Sequence, residues 1–251
     1  MSPTEPFIVL LVAHLIGDFI LQTEKMALQK GHVLCWLILH ATELGVITWL
    51  LCWSWTAWPV VLIVFLTHVV FDWVKARLKG HPLKWYIIDQ LGHLLTLWLC
   101  AMWMAHQLQF EEMPITKYIP MSILVLFAAY LFVSRPLTIG MGLFLRPWQE
   151  ELLKAKATED VGTVTGLTRS GEWIGNLERF FVLTCVLVNQ YMLVGFLVLA
   201  KAMIRYGEVS SPAQRKRADY VILGTFGSIG LAVAVGVLTR IALNSAGVVQ
   251  W

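Results

Sequence analysis

The chain has 251 residues, of which 58% are hydrophobic and only 14% charged, with a formal charge of +3. So apolar a composition, with several apolar runs near the roughly 20 residues that a spanning helix needs, implies a polytopic membrane protein. The modest charge gives no reason to expect a nucleic-acid partner. Cys35, Cys52, Cys100 and Cys185 lie in or beside apolar runs without paired spacing, so they read as small core residues and not as disulfides or zinc ligands.

The expected fold is all-α, an integral membrane helix bundle of seven or eight segments. MSPTEP carries no basic n-region and no small-residue cleavage site follows the first apolar run, so that run reads as a retained helix from Phe7 to Gln22. Its HLIGDFILQ segment places His14, Asp18 and Gln22 at spacings of four, one polar stripe that must face protein or water. After the polar connection EKMALQKGH, a second helix from Val33 to Trp53 carries His40 and Glu43 on one face. Trp49, Trp53, Trp55 and Trp58 then cluster at a turn, as aromatic residues do at headgroup level.

The third helix, Trp58 to Leu78, contains THVVFDWVK with His68 and Asp72 four residues apart, and Lys75 three beyond, where it can neutralise Asp72. The fourth, Trp85 to His106, contains DQLGH, with Asp89 and His93 in the reverse order. Basic connections at Lys25 to Lys30 and Lys75 to Lys84, against Glu111 and Glu112 in the next one, place the first two connections in the cytoplasm and the N-terminus outside. Asp18, Asp72 and Asp89 then lie near the cytoplasmic ends of their helices, with His14, His68 and His93 one turn deeper. The three pairs therefore agree in depth and read as one inward-facing site.

A fifth helix begins near Ile119 and stops or kinks at Arg135 and Pro136, after which PLTIGMGLFLRPW reads as a re-entrant or interfacial piece. Two regions follow from this reading, residues 1–118 with the His/Asp motifs and residues 119–251, the latter containing a polar cytoplasmic connection near 149–172. A single span from Arg179 to Lys201 would put the RKR of Arg215 to Arg217 outside, against the charge bias. A short helical hairpin, Trp173 to about Asn189 and Tyr191 to Tyr206, repairs this and makes the eighth segment. Pairing of Glu178, Arg179, Lys201 and Arg205 across it is the default expectation, with lipid-phosphate binding the alternative. The final segment, Tyr220 to Leu243, is rich in the small residues of close helix packing.

HLIGDFILQ, the following helical histidine, HVVFD with its lysine, and DQLGH resemble the N-terminal part of the uncharacterised bacterial membrane family catalogued as domain of unknown function 3307. GEWIGNLERF, AKAMIRYG and ADYVILGT resemble a C-terminal extension of some members, with a weaker match in this half at Ala202 and Asp219. More distantly, the His/Asp pattern is similar to that of proteins labelled membrane-bound metal-dependent hydrolases. The resemblance implies an inner-membrane protein of a bacterium and His14, Asp18, His68, Asp72, Asp89 and His93 as the site positions.

Imidazole and carboxylate ligands suit zinc, manganese or iron, as one divalent ion with supporting partners or as two ions roughly 3.5–4 Å apart. His40 is then a further ligand or general base, and Lys75 a counter-charge. The reaction expected is hydrolysis of a lipid or lipid-linked ester at the cytoplasmic side, with membrane lipids as neighbours and a homo-oligomer left open. Two other classes fit the same stripe, a proton- or ion-coupled transporter and a non-enzymatic membrane scaffold. His32, His81 and His106, at helix ends or in loops, read as solvated.

Overall fold

The computed structural model describes residues 2–107, 113–157, 168–206 and 212–245, with side chains left aside at 153–157, 168–170, 204–206, 212–217 and 245. Every regular element among these residues is helical. Six helical stretches among the described residues are long and apolar enough to cross a membrane, Thr4–Leu21, Leu34–Cys52, Trp55–Lys75, Pro82–Gln107, Met121–Leu152 and Ala218–Asn244, and Tyr191–Met203 is a shorter apolar helix. Polarity runs inside out along these helices: Ile63, Leu66, Val70, Leu95 and Leu99 are exposed while His14, His40, His68 and His93 are buried. Such a surface matches hydrocarbon rather than water, as a polytopic membrane bundle requires. The chain divides into two compact units, residues 1–132 and 133–251.

The first unit begins with α1 (Thr4–Leu15), which widens into one π-helical turn over Ile16–Leu21. Thr23 caps the short α2 (Glu24–Gln29), its Oγ1 accepting from Met26 N at 3.2 Å, and Met26 buries itself in the unit as an anchor. Then come α3 (Leu34–Cys52), α4 (Trp58–Lys75) and α5 (Pro82–Gln107). Pro59 in the first turn of α4 and Pro82 opening α5 cost no helical hydrogen bond there. α1 packs on α3 and α5, and α4 packs on the same two, so the four long helices close a ring. Gly17 in the π turn permits this approach, because a Cβ there would stand 2.6 Å from Leu44 on α3. Val9, Leu10, Leu44, Val60, Val64 and Leu97 fill the ring. α6 (Met121–Val133) adds Leu124 to that core, and Ala128 to a second cluster with Val12, Leu15 and Phe19.

The second unit contains α7 (Arg135–Ala157), α8 (Thr168–Leu187), α9 (Tyr191–Tyr206) and α10 (Pro212–Ser245). The break expected at Arg135 falls at Ser134. Beyond it the PLTIGMGLFLRPW run, expected as a re-entrant or interfacial piece, forms part of one continuous helix. Pro136 is the second residue of α7, where its missing N–H is harmless, and the helix continues past Pro147 to Ala157. The expected hairpin is present: Asn189 adopts φ 62° in the turn and Gln190 N donates to Cys185 O at 2.7 Å, closing α8 before α9 starts. α10 packs against α8 and α7, with Gly236 so close to α8 that a Cβ would stand 2.6 Å from Val186. Glu111, Glu112, the side chain of Arg205 and those of Arg215 to Arg217 lie outside the described residues.

A four-histidine centre in the first unit

Each helix of the ring contributes one histidine, His14 from α1, His40 from α3, His68 from α4 and His93 from α5, and none is more than 2% exposed. His68 stacks on His93 with ring centroids 4.0 Å apart, while His14 lies 5.4 Å from His68 and 5.1 Å from His93. One ring nitrogen from each of His14, His68 and His93 lies within 4.8 Å of the others. This buried triad could hold a metal ion. His40 stands at its side, 6.1 Å from His68 by ring centroid.

Hydrogen bonding places the protons of two of these rings. Gln90 donates its amide nitrogen to Asp18 Oδ2 at 3.1 Å and Asp89 Oδ2 at 3.3 Å, which turns its oxygen towards His14 Nε2 at 3.2 Å. An amide oxygen only accepts, so His14 carries its proton on Nε2. His68 Nδ1 lies 2.7 Å from the Val64 carbonyl, which also only accepts, so His68 carries its proton on Nδ1. What remains is His14 Nδ1 facing His68 Nε2 at 3.3 Å. In the neutral rings both atoms bear lone pairs, and two lone pairs at this distance repel unless a cation or a proton lies between them.

One turn away along the helices lies a layer of carboxylates. Lys30 Nζ donates to Asp72 Oδ2 at 2.9 Å and stands 3.9 Å from Asp18 Oδ1. His40 Nε2 lies 3.1 Å from Asp18 Oδ1 and 3.6 Å from Asp72 Oδ2. Lys75 Nζ pairs with Asp89 Oδ2 at 2.6 Å. Lys75 thus neutralises Asp89 across the helix pair and not Asp72 on its own helix, whose cation is Lys30. Of the three sequence pairs, only Asp89 and His93 approach directly, at 3.5 Å. The π turn explains part of this: its wider winding turns Asp18 out of line with His14 and towards His40 on α3.

The eight residues singled out from sequence, His14, Asp18, His40, His68, Asp72, Lys75, Asp89 and His93, therefore come together in one unit, sorted into a deep imidazole layer and an outer carboxylate layer. Lys30 and Gln90 join them and were not anticipated. The signals were present: Gln90 is a second polar residue beside Asp89 within a span, and Lys30 follows a Thr-Glu start that turns the connection back as α2. Among the described residues four buried side-chain atoms lack a hydrogen-bond partner, and three belong here, His40 Nδ1, His93 Nδ1 and Asp89 Oδ1; the fourth is Glu43 Oε2 on α3. Unsatisfied buried polar atoms are rare in folded proteins.

Glu178, Arg179 and Lys201 take a different arrangement in the second unit. Lys201 Nζ pairs with Glu178 Oε2 at 2.6 Å across the α8–α9 hairpin, the pairing expected by default. Arg179 is buried and directs its donors to neutral oxygens, Val133 O at 2.6 Å, Ser228 Oγ at 3.0 Å, Asn176 Oδ1 at 2.5 Å and Thr138 Oγ1.

Fold and site together define a polytopic helical membrane protein with a buried, four-helix histidine and carboxylate centre. Residues 7–119, which span that centre, match the family described as protein of unknown function (DUF3307). No curated protein and no solved structure is significantly similar to the chain.

Proposed function

We propose that the first unit is a membrane-embedded metal-dependent hydrolase, with one divalent ion, zinc, manganese or iron, held by His14, His68 and His93. The observation that carries this reading is the 3.3 Å approach of His14 Nδ1 to His68 Nε2. Two imidazole nitrogens bound to one tetrahedral ion at about 2.0–2.1 Å stand about 3.3–3.4 Å apart. With a nitrogen from His93 the triad would supply three protein ligands, the number found in catalytic rather than structural sites. Gln90 supports His14 from outside, as groups behind metal-bound histidines do.

Bound there, the ion supplies Lewis-acid polarisation of an ester oxygen and a more acidic water. His40 is the general base. Its Nε2 is oriented by Asp18, and its buried Nδ1 has no partner and is free to take the proton of the attacking water. That proton then passes to the oxygen of the departing alcohol as the ester bond breaks. Lys75, its side chain 35% exposed, is the counter-charge at the rim of the centre. A lipid or lipid-linked ester at the cytoplasmic side of a bacterial inner membrane suits a centre set in a lipid-facing bundle next to the basic connections.

The test is hydrolysis by the detergent-purified full chain, stripped with chelator and reloaded with zinc, manganese or iron, against carboxylic and phosphoric ester lipids. Release of product only by the reloaded protein, lost in His40→Ala while the metal stays bound, is the expected result. Metal-loaded protein that cleaves neither ester class overturns the hydrolase.

The same 3.3 Å contact favours one other reading, a proton shared between the two rings, which makes the cluster a relay for proton-coupled transport. Metal-free protein that moves protons across a vesicle membrane would establish that reading instead.

A further inference from the structure

Between Asp72 and Asp89 the chain carries no acidic residue, while Lys75, Arg77, Lys79 and Lys84 are basic and His81 stands among them. Lys75 is taken by Asp89, but Arg77, Lys79 and Lys84 have no carboxylate partner among the described residues. This stretch joins α4 to α5 where two membrane-spanning segments end, Trp55–Lys75 and Pro82–Gln107. It therefore lies at one membrane surface.

The connection has a defined shape. Gly80 turns the chain at φ 120°, a conformation that other residues rarely adopt, and Trp85 Nε1 donates to Lys79 O at 3.1 Å, tying the turn to the start of α5. Lys84 Nζ lies 5.5 Å from the centre of the Trp85 ring, and the Arg77 guanidinium 3.7 Å from that of Trp73. Cations held over indole rings at the end of a span stand at headgroup level. Against the turn lies an open groove of about 430 Å³, lined by His81, Leu83, Lys84, Ile87 and Ile88.

The groove continues into hydrocarbon. Ile88, Leu91, Leu95 and Leu99 are spaced three or four residues apart and all exposed, an apolar stripe about 16 Å long on the face that Lys84 begins. Asp89 and His93 are buried on the other side of α5, so the groove is separate from the histidine centre and the inference does not depend on a metal there. An acidic peptide would match the cations and leave the stripe without a counterpart. A phospholipid with a negative headgroup matches both.

We propose that the α4–α5 connection binds one anionic phospholipid, its phosphate met by Lys84, Lys79 and His81 and one acyl chain lying over Leu83, Ile87 and Ile88 and along the stripe of α5. The positive end of the α5 dipole adds to the attraction. Zwitterionic lipids carry a compensating cation in the headgroup and gain less from the lysines.

The test is native mass spectrometry of the detergent-purified full chain titrated with phosphatidylglycerol, with phosphatidylcholine of the same chains, and with phosphatidylglycerol in the presence of excess inorganic phosphate. One phosphatidylglycerol per chain is expected, bound in preference to phosphatidylcholine and not displaced by phosphate. One lysine near an anionic lipid contributes about 5-fold in affinity, so Lys84→Gln should weaken phosphatidylglycerol about 5-fold and Lys79→Gln/Lys84→Gln about 25-fold. Lys25→Gln, which removes an exposed charge from the other basic connection, should leave it unchanged. Equal retention of the two lipids, displacement by inorganic phosphate, or a loss in Lys25→Gln as large as in Lys84→Gln overturns the proposal. Should Lys84→Gln fail to elute as a single species, Ile88→Ser, which keeps every cation and interrupts the stripe, takes its place: weaker phosphatidylglycerol binding supports the site and unchanged binding overturns it.

Discussion

Both units bury charge among apolar helices, and they resolve it in opposite ways. In the second unit the buried Arg179 is surrounded by oxygens that can only accept or are free to do so, from Val133, Thr138, Asn176 and Ser228, and Glu178 is taken by Lys201. Its polar atoms are used in holding α8 to its neighbours. In the first unit, four histidines, three aspartates and two lysines leave three buried atoms unpaired and set two imidazole lone pairs against each other. A polar group buried at the cost that a membrane imposes is retained either for packing or for chemistry. Saturation of its hydrogen bonds separates the two cases, and among the described residues the buried side-chain atoms without a hydrogen-bond partner all lie in the first unit.

That contrast can be broken from either side. The largest effect on stability is expected from Arg179→Met, which leaves several buried acceptors unpaired, each worth about 1–3 kcal/mol. Thermal unfolding in detergent should show a loss of about 3 kcal/mol or more. A variant as stable as wild type would mean that the guanidinium is not a structural clamp. Gln90→Leu should act on binding instead. Loss of a partner behind a metal-bound histidine typically weakens metal affinity about 10–100-fold. Competition with a chelator measures this, and unchanged affinity would detach Gln90 from the centre. The smallest effect belongs to Glu178→Gln. Its pair with Lys201 is partly exposed, at 15% and 25%, so the cost should stay within about 1 kcal/mol in the same unfolding assay. A loss as large as that of Arg179→Met would show that the hairpin depends on this one pair.

Much of the centre was legible from sequence because membrane-buried charge is costly and therefore conspicuous. His14, Asp18, His68, Asp72, Asp89 and His93 stand out against apolar runs at helical spacing, and the basic connections gave them a common depth. Pairing across helices was not legible. Spacing along a helix suggested that Lys75 serves Asp72, but partner choice depends on which helices are neighbours in the ring, and α5 brings Asp89 closer. The π turn at Ile16–Leu21 left no readable signal either, and it decides that Asp18 faces His40. In the second unit the hairpin followed from charge bias, since a single span would have carried a basic loop to the wrong side. The break before Pro136 was legible, since a proline at the second position of a helix marks a start as readily as a stop, whereas the length of the helix that follows, through Pro147 to Ala157, was not.

The most direct test of the central claim, that His14, His68 and His93 hold one divalent ion, is X-ray absorption at the metal edge of the reloaded protein. The arrangement predicts three imidazole nitrogens and an oxygen around one ion per chain, at about 2.0–2.1 Å for zinc, with both ion and imidazole signal absent in His68→Ala. Protein that stays empty after reloading, or an ion ringed by oxygens alone, would contradict it.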